Sequence, residues 1–245
     1  MDAVRLKPIA RLTEEQCEAI ASYGARTSWP AGFTLYDDAT PADGLFIVLR
    51  GQVVLRAPVN AGRCFVPWVA TPGETFGGEG LEPGTMHSHH ARAEDESETL
   101  HLSAAGVSAL MREQPATALA LVRQLMLERT ALLEKFAQHA TLTVEQRLVV
   151  TLARLAQSRM PRGARGVTVP VTVSRKLLGE LVGATRESIS LVLGRLAAEG
   201  VVRREGSALA IIDLDRLLAR LGRQPGRPGI ALFDDRRPAD RDASA

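Results

Sequence analysis

Between Val173 and Leu196 the chain reads as two short helices joined by a glycine-bearing turn, and this pairing constrains what can surround it. Ser174 is placed to cap the first helix, whose Leu177, Leu178, Leu181 and Val182 repeat at helical spacing. Gly183 supplies the backbone freedom to leave that helix, and Thr185 caps the second. On the second helix Ile189, Leu193 and Leu196 form an apolar stripe, which turns Arg186, Glu187, Ser188 and Ser190 outward at the N-terminal end. An ordinary helical hairpin with a charged wet face would share this pattern. What separates the two readings is the segment that follows. Glu199-Gly200 ends the helix, and Val201 to Ile212 reads as two strands turning near Gly206-Ser207. A helix-turn-helix followed by such a wing is a winged helix, whose second helix enters the DNA major groove at its N-terminal end. There an arginine can pair bidentately with guanine and a glutamate can accept from cytosine. The helix starts at Ser174-Arg175 and Thr185 suit phosphate oxygens, and Arg195, one turn beyond Leu191, can reach a phosphate as well.

Charge divides the chain in the same place. Residues 1–140 hold 12 Lys and Arg against 17 Asp and Glu, whereas residues 141–222 hold 13 against 7. The basic half is therefore the one expected to meet a polyanion, and the acidic half needs a different partner. At 245 residues and 45% hydrophobic the chain can bury two domain cores. It has no apolar run of membrane-spanning length and no basic-then-apolar start, so a cytoplasmic protein without membrane contact is expected. Cys17 and Cys64 are too few for a four-thiolate iron-sulfur cluster within one chain, and we read both as unligated thiols. From Arg223 to Ala245 the chain mixes Pro, Gly and both charge signs, as a disordered tail does.

The N-terminal half alternates short apolar runs with Gly and Pro. Strands are expected at Phe33–Tyr36, Leu45–Leu49, Val53–Leu55, Phe65–Ala70, His90–Ala93 and Thr99–Leu102, with a turn at Arg50-Gly51-Gln52 between the second and third. Their number and punctuation point to a jelly-roll or barrel. The segment Pro72–Gly84 holds five glycines that could present backbone N–H groups to an anion. Over residues 116–138 the pattern becomes a long helix. Leu119, Val122, Met126, Leu133 and Phe136 recur at spacings of three, four and seven, and Leu121, Leu125 and Leu132 widen the apolar face. A stripe this broad serves two neighbours, the β-domain on one side and a second chain on the other. The expected organisation is an α+β chain: a jelly-roll β-domain over 1–114, a central dimerisation helix over 115–140, a winged helix-turn-helix over 141–222 and the tail over 223–245.

Over roughly residues 10–215 this order of parts resembles the Crp/Fnr transcription regulators. Asp43 to Gly51 looks like the family's first hairpin, Pro72 to Glu79 like its effector-binding turn, and Gly183 to Ser190 like its recognition helix. The resemblance implies a homodimeric bacterial regulator that binds double-stranded DNA and works with RNA polymerase. In it the β-domain senses a small-molecule effector and the central helix transmits the signal. It implies no catalytic residues, and the sequence itself shows no nucleophile-base-acid set and no phosphate-loop motif. Two alternatives stand beside it: a regulatory module of cyclic-nucleotide type that acts through protein partners, and a haem-based gas sensor of the same family.

The effector region departs from the pattern of cyclic-AMP binders. Gly78, Glu79, Gly80 and Leu81 match the turn, and Glu79 is the residue that binds a ribose hydroxyl in the family. The Arg-Ser or Arg-Thr phosphate clamp is replaced by His89-His90 before Ala91, and the hydroxylated pair on the central helix by Leu132-Leu133. Neutral imidazole cannot reproduce a charged guanidinium fork, so cyclic AMP is not the expected effector. The run His87-Ser88-His89-His90 offers imidazoles for a transition metal or haem. Strand alternation sends His89 and His90 to opposite faces, however, and no cysteine or carboxylate stands out as a further ligand, so no metal site is assigned to these three. On the recognition helix the cyclic-AMP receptor protein carries a second Arg four residues after the Glu, where this chain has Leu191. Leu191 offers only apolar contact, such as with a thymine methyl. The expected operator is therefore palindromic, with half-sites one helical turn apart and a G·C core like that of TGTGA, but differing where the second Arg would read.

Overall fold

The computed structural model describes residues 11–59, 64–157, 169–171, 174–205 and 208–221. The expected tail over 223–245 and the wing turn at Gly206-Ser207 lie outside the described residues. The chain divides into two compact units, residues 9–133 and the residues from Glu134 onward, and no helix among the described residues is long and apolar enough to cross a membrane.

The first unit opens on α1 (Glu14–Ala21), fastened by a capping box in which Thr13 and Gln16 exchange side chain to backbone bonds. Eight strands follow: β1 (Ala25–Trp29), β2 (Thr34–Tyr36), β3 (Gly44–Arg50), β4 (Val53–Pro58), β5 (Cys64–Ala70), β6 (Thr75–Phe76), β7 (His90–Ala93) and β8 (Ser97–Ser103). They form two antiparallel four-stranded sheets, ordered β1-β8-β3-β6 and β2-β7-β4-β5, the layered β-domain expected of this half. The run Leu45–Leu49 is apolar throughout because β3 is covered on both faces. Its odd residues Leu45 and Ile47 join Leu100, Leu102 and the helical residues Ile20, Leu110 and Leu121 in one core cluster. Val48 joins Tyr36, Val53, Phe76 and Ala91 in a second.

One expectation is corrected here. The strands flanking Arg50-Gly51-Gln52 are not a hairpin: β3 pairs with β8 and β6, and β4 pairs with β5 and β7. Both edges of β3 are already taken. Gly51, at φ 79°, turns the chain out of one sheet and into the other.

After α2 (Ala104–Glu113), α3 runs from Pro115 to Thr141, with proline as its first residue, where the missing N–H costs nothing. Ala118, Leu121 and Ala131 are buried on it, and Leu119, Val122, Met126, Leu133 and Phe136 are exposed.

The second unit contains α4 (Val144–Gln157), β9 (Val169–Val171), α5 (Arg175–Val182), α6 (Arg186–Ala198), β10 (Val202–Glu205), β11 (Ala208–Ile211) and α7 (Leu214–Ala219). Its core joins Leu148 and Leu152 of α4, Leu178 and Val182 of α5, Ile189 and Leu196 of α6, and Ile211 of the wing. The wing has a third strand, since β9 pairs antiparallel with β11. Pro170 sits on this edge strand, opposite Ala210 of β11, the kind of strand to which prolines in sheets are confined.

Candidate functional site

The helix-turn-helix is built as its sequence dictates. Ser174 Oγ accepts the Leu177 N–H at 3.0 Å, and Thr185 Oγ1 accepts the Ser188 N–H at 3.2 Å, so both helices begin on a side-chain cap. Between them Gly183 takes a left-handed φ of 66°. Arg147 of α4 locks the corner from behind: its Nε donates to the Val182 carbonyl at 2.9 Å and its Nη1 to the Leu142 carbonyl at 2.8 Å. No periodicity in the sequence singles out this arginine. Ile189, Val192, Leu193 and Leu196 are buried, which leaves Arg186 and Glu187 exposed at the start of α6 beside Ser174, Arg175 and Thr185.

The remaining expected contacts are partly engaged within the protein. The Ser188 hydroxyl lies 3.1 Å from Thr185 Oγ1, and Ser190 is half-buried. Arg195 pairs with Glu145 of α4 at 3.0 Å, and Glu145 also meets Arg220 at 3.5 Å. The backbone N–H of Glu187 itself, and then the Thr185 hydroxyl, hold the Glu187 carboxyl below the ordinary range, so it is an ionised acceptor. Arg203 and Arg204 add exposed cations on β10.

In the first unit a second constellation forms around Glu79. This residue lies on a short 3-10 turn, Gly78–Leu81. The turn can sit where it does because Gly80 passes against the backbone of β3: a Cβ there would stand 2.0 Å from the Gly44 nitrogen. Ser88 Oγ donates to Glu79 Oε1 at 2.7 Å, and His89 Nδ1 lies 3.2 Å from the same oxygen. These contacts, His89 foremost, hold the Glu79 carboxyl at about 2. The other imidazole nitrogen of His89 meets the Tyr36 hydroxyl at 2.9 Å. His87 is buried and lies flat on the Tyr36 ring, with centroids 3.5 Å apart, and its Nδ1 is 3.8 Å from Glu79 Oε2, beyond hydrogen-bond reach. Burial pushes the His87 pKa down and keeps the ring neutral.

Glu79 therefore stands beside the histidines as a carboxylate, which their local sequence did not reveal, because seven residues separate it from His87. His90 turns elsewhere, 3.7 Å from Asp38, and Ala91 is buried at the sheet centre. Leu132 and Leu133 lie on the exposed face of α3. Among the described residues no group of three or more His, Cys, Asp and Glu is arranged to hold a metal ion. In this arrangement His87 and His89 pack and hydrogen-bond with Tyr36 and Glu79, and offer no assembled ligand set for a metal. Cys17 and Cys64 are free thiols, and burial raises the Cys17 pKa. Tyr36 belongs to the constellation without any local motif that announces it.

Both regions coincide with described families. Residues 26–114 match the cyclic nucleotide-binding domain and residues 146–220 the Crp-like helix-turn-helix domain. The transcriptional regulatory protein btr of Bordetella pertussis is 25% identical over 193 residues, which are 79% of each chain. The CRP-like cAMP-activated global transcriptional regulator of Mycobacterium tuberculosis is 25% identical over 78% of this chain and 86% of its own. The solved structure of a CooA mutant from Carboxydothermus hydrogenoformans shares the fold at a TM-score of 0.72 and 18% identity, over 89% of this chain and 98% of its own. With a cyclic nucleotide-binding domain followed by a Crp-like helix-turn-helix, the chain belongs to the Crp/Fnr family of DNA-binding transcription regulators.

Proposed function

We propose that the chain acts in the cytoplasm as a homodimer that binds a palindromic promoter site in response to a small-molecule effector and communicates with RNA polymerase. It works by binding and not by catalysis. Residues 1–114 sense, 115–140 dimerise and transmit, and 141–222 read DNA. The observation that carries this reading is the exposed pair Arg186-Glu187 on the start of α6, a helix capped by Thr185. A two-fold dimer places two such helices in successive major grooves, so half-sites lie about one helical turn, roughly 34 Å, apart.

Binding selection from random duplexes tests the reading. The full chain should recover a palindrome with a G·C step in each half. Arg186→Ala should weaken binding by about 1–3 kcal/mol and relax preference at one base pair. Arg195→Ala should weaken all sequences alike, by a smaller amount, because Arg195 must exchange Glu145 for a phosphate. Unchanged specificity in Arg186→Ala would show that another face of α6 reads the bases.

The effector of this chain is not cyclic AMP. Glu79 is already engaged by Ser88 and His89, and the region has no arginine in place of the phosphate clamp. Titration calorimetry should register no cyclic-AMP binding at micromolar concentration. A micromolar dissociation constant would refute this assignment.

A further inference from the structure

The outward ridge of α6 contains two residues that make little sense in the isolated protein. Glu187, Leu191, Gly194 and Ala198 follow one another at helical spacings of four, three and four, opposite the buried stripe of Ile189, Val192, Leu193 and Leu196, and all four are exposed. Leu191 leaves 67% of its surface in water. Gly194 lies inside the 13-residue helix, where glycine is among the poorest formers, and beyond its own stretch of helix nothing lies within 4 Å of a Cβ built on it. Neither packing nor a special backbone angle calls for glycine there, and alanine would make a better helix. The ridge carries no cation beyond its first turn, since the neighbouring Arg195 is held by Glu145. An exposed apolar side chain followed by a bare stretch of backbone is a surface shaped for something that approaches closely.

We propose that Gly194 is a specificity-determining residue. Its missing side chain lets α6 sit deep in the major groove, and that depth brings Leu191 against the C5-methyl of a thymine. The proposal rests on the DNA-binding reading above. DNA is the occupant that the ridge favours, because the ridge begins at the capped, cation-bearing helix start, where Arg186 and Glu187 meet bases. A side chain at position 194 would lift the helix and draw Leu191 back.

The test uses the full chain and the operator that it selects. Each thymine is replaced in turn by deoxyuridine, which removes only the methyl group. Wild type should lose about fourfold in affinity per methyl at one position of each half-site, as expected for one buried carbon. Leu191→Ala should bind more weakly and no longer distinguish thymine from uracil there. Gly194→Ala should melt about 2–4 °C higher, yet bind at least about tenfold more weakly and also lose the thymine preference. The opposite signs exclude misfolding as the cause. If wild type selects an operator but tolerates uracil throughout, and Gly194→Ala binds like wild type, the proposal is wrong while the DNA-binding reading stands. Should Gly194→Ala bind DNA normally but fail to support transcription in a reconstituted reaction, the ridge docks a protein and the proposal is again wrong. If wild type selects no sequence at all, the DNA-binding reading falls and takes the proposal with it.

Discussion

Glu128→Ala should destabilise the first unit by about 2–4 kcal/mol, measured by urea unfolding near neutral pH. Glu128 is a buried acid on α3 whose carboxyl group takes three bonds: the Thr75 N–H at 2.7 Å, the Thr75 hydroxyl at 2.5 Å and the Gln124 amide at 2.7 Å. Truncation strands all three donors in the interior, and a stranded buried donor costs its full desolvation. It also frees β6, a strand of only two residues that leads directly into the Glu79 turn. Glu128→Gln preserves the shape: its amide oxygen can accept from Thr75 and Gln124, and its NH2 can donate to the Thr75 hydroxyl. The glutamine variant should therefore stay close to wild type.

The pair also separates in its pH dependence. Burial pushes the Glu128 carboxyl above its ordinary value, and likewise that of Glu74, which is buried next to Arg11. A carboxyl whose folded pKa is raised contributes its full stability below the ordinary carboxylate range and loses it as pH rises through the raised value. Glutamine does not ionise. Glu128→Gln should accordingly gain on wild type as pH climbs from about 4 to about 7. A constant difference across that range would show that burial does not tax the ionised form.

Leu133→Asp should turn the proposed dimer into a monomer at micromolar concentration, as read by light scattering. The exposed line on α3 includes Leu133 at 58% and Phe136 at 75%, values that a single chain gains nothing by leaving in water. A two-fold seam along this line would bring two aspartates into one apolar interface, and burying them costs several kcal/mol, about 3–5 by analogy with unpaired buried charges. Affinity for the palindrome should fall with the dimer, whereas binding to an isolated half-site should be retained. A variant that remains dimeric would move the interface away from the central helix.

What could be read from the sequence follows the strength of local signals. The winged helix was legible because its caps, Ser174 and Thr185, and its stripe from Ile189 to Leu196 are short-range features. β7 was legible to the residue, and β3, β4, β5 and β8 to within a few, because apolar runs ended by glycine or polar residues mark them. β1, Ala-Arg-Thr-Ser-Trp, was not, since an edge strand's residues are left partly in water and its place depends on pairing with the distant β8. β6 is too short to show any period. α4 was missed because Leu148, Val149, Val150 and Leu152 crowd its apolar face and read equally well as a strand. The meeting of Glu79 with His89 and Tyr36 depends on three separate loops and strands, and no spacing encodes that.

The Glu79 constellation changes what it means for this protein to be without a signal. Its carboxylate is already answered from within by Ser88 and His89. A molecule that arrives for that carboxylate must win an exchange, and its apparent affinity is the difference between two similar bargains. On the proposed sensing role, a weak or scarce ligand would leave these internal bonds in place. Ser88→Ala removes one of the two internal partners of that carboxylate and, on the proposed sensing role, should let a ligand engage it at lower concentration.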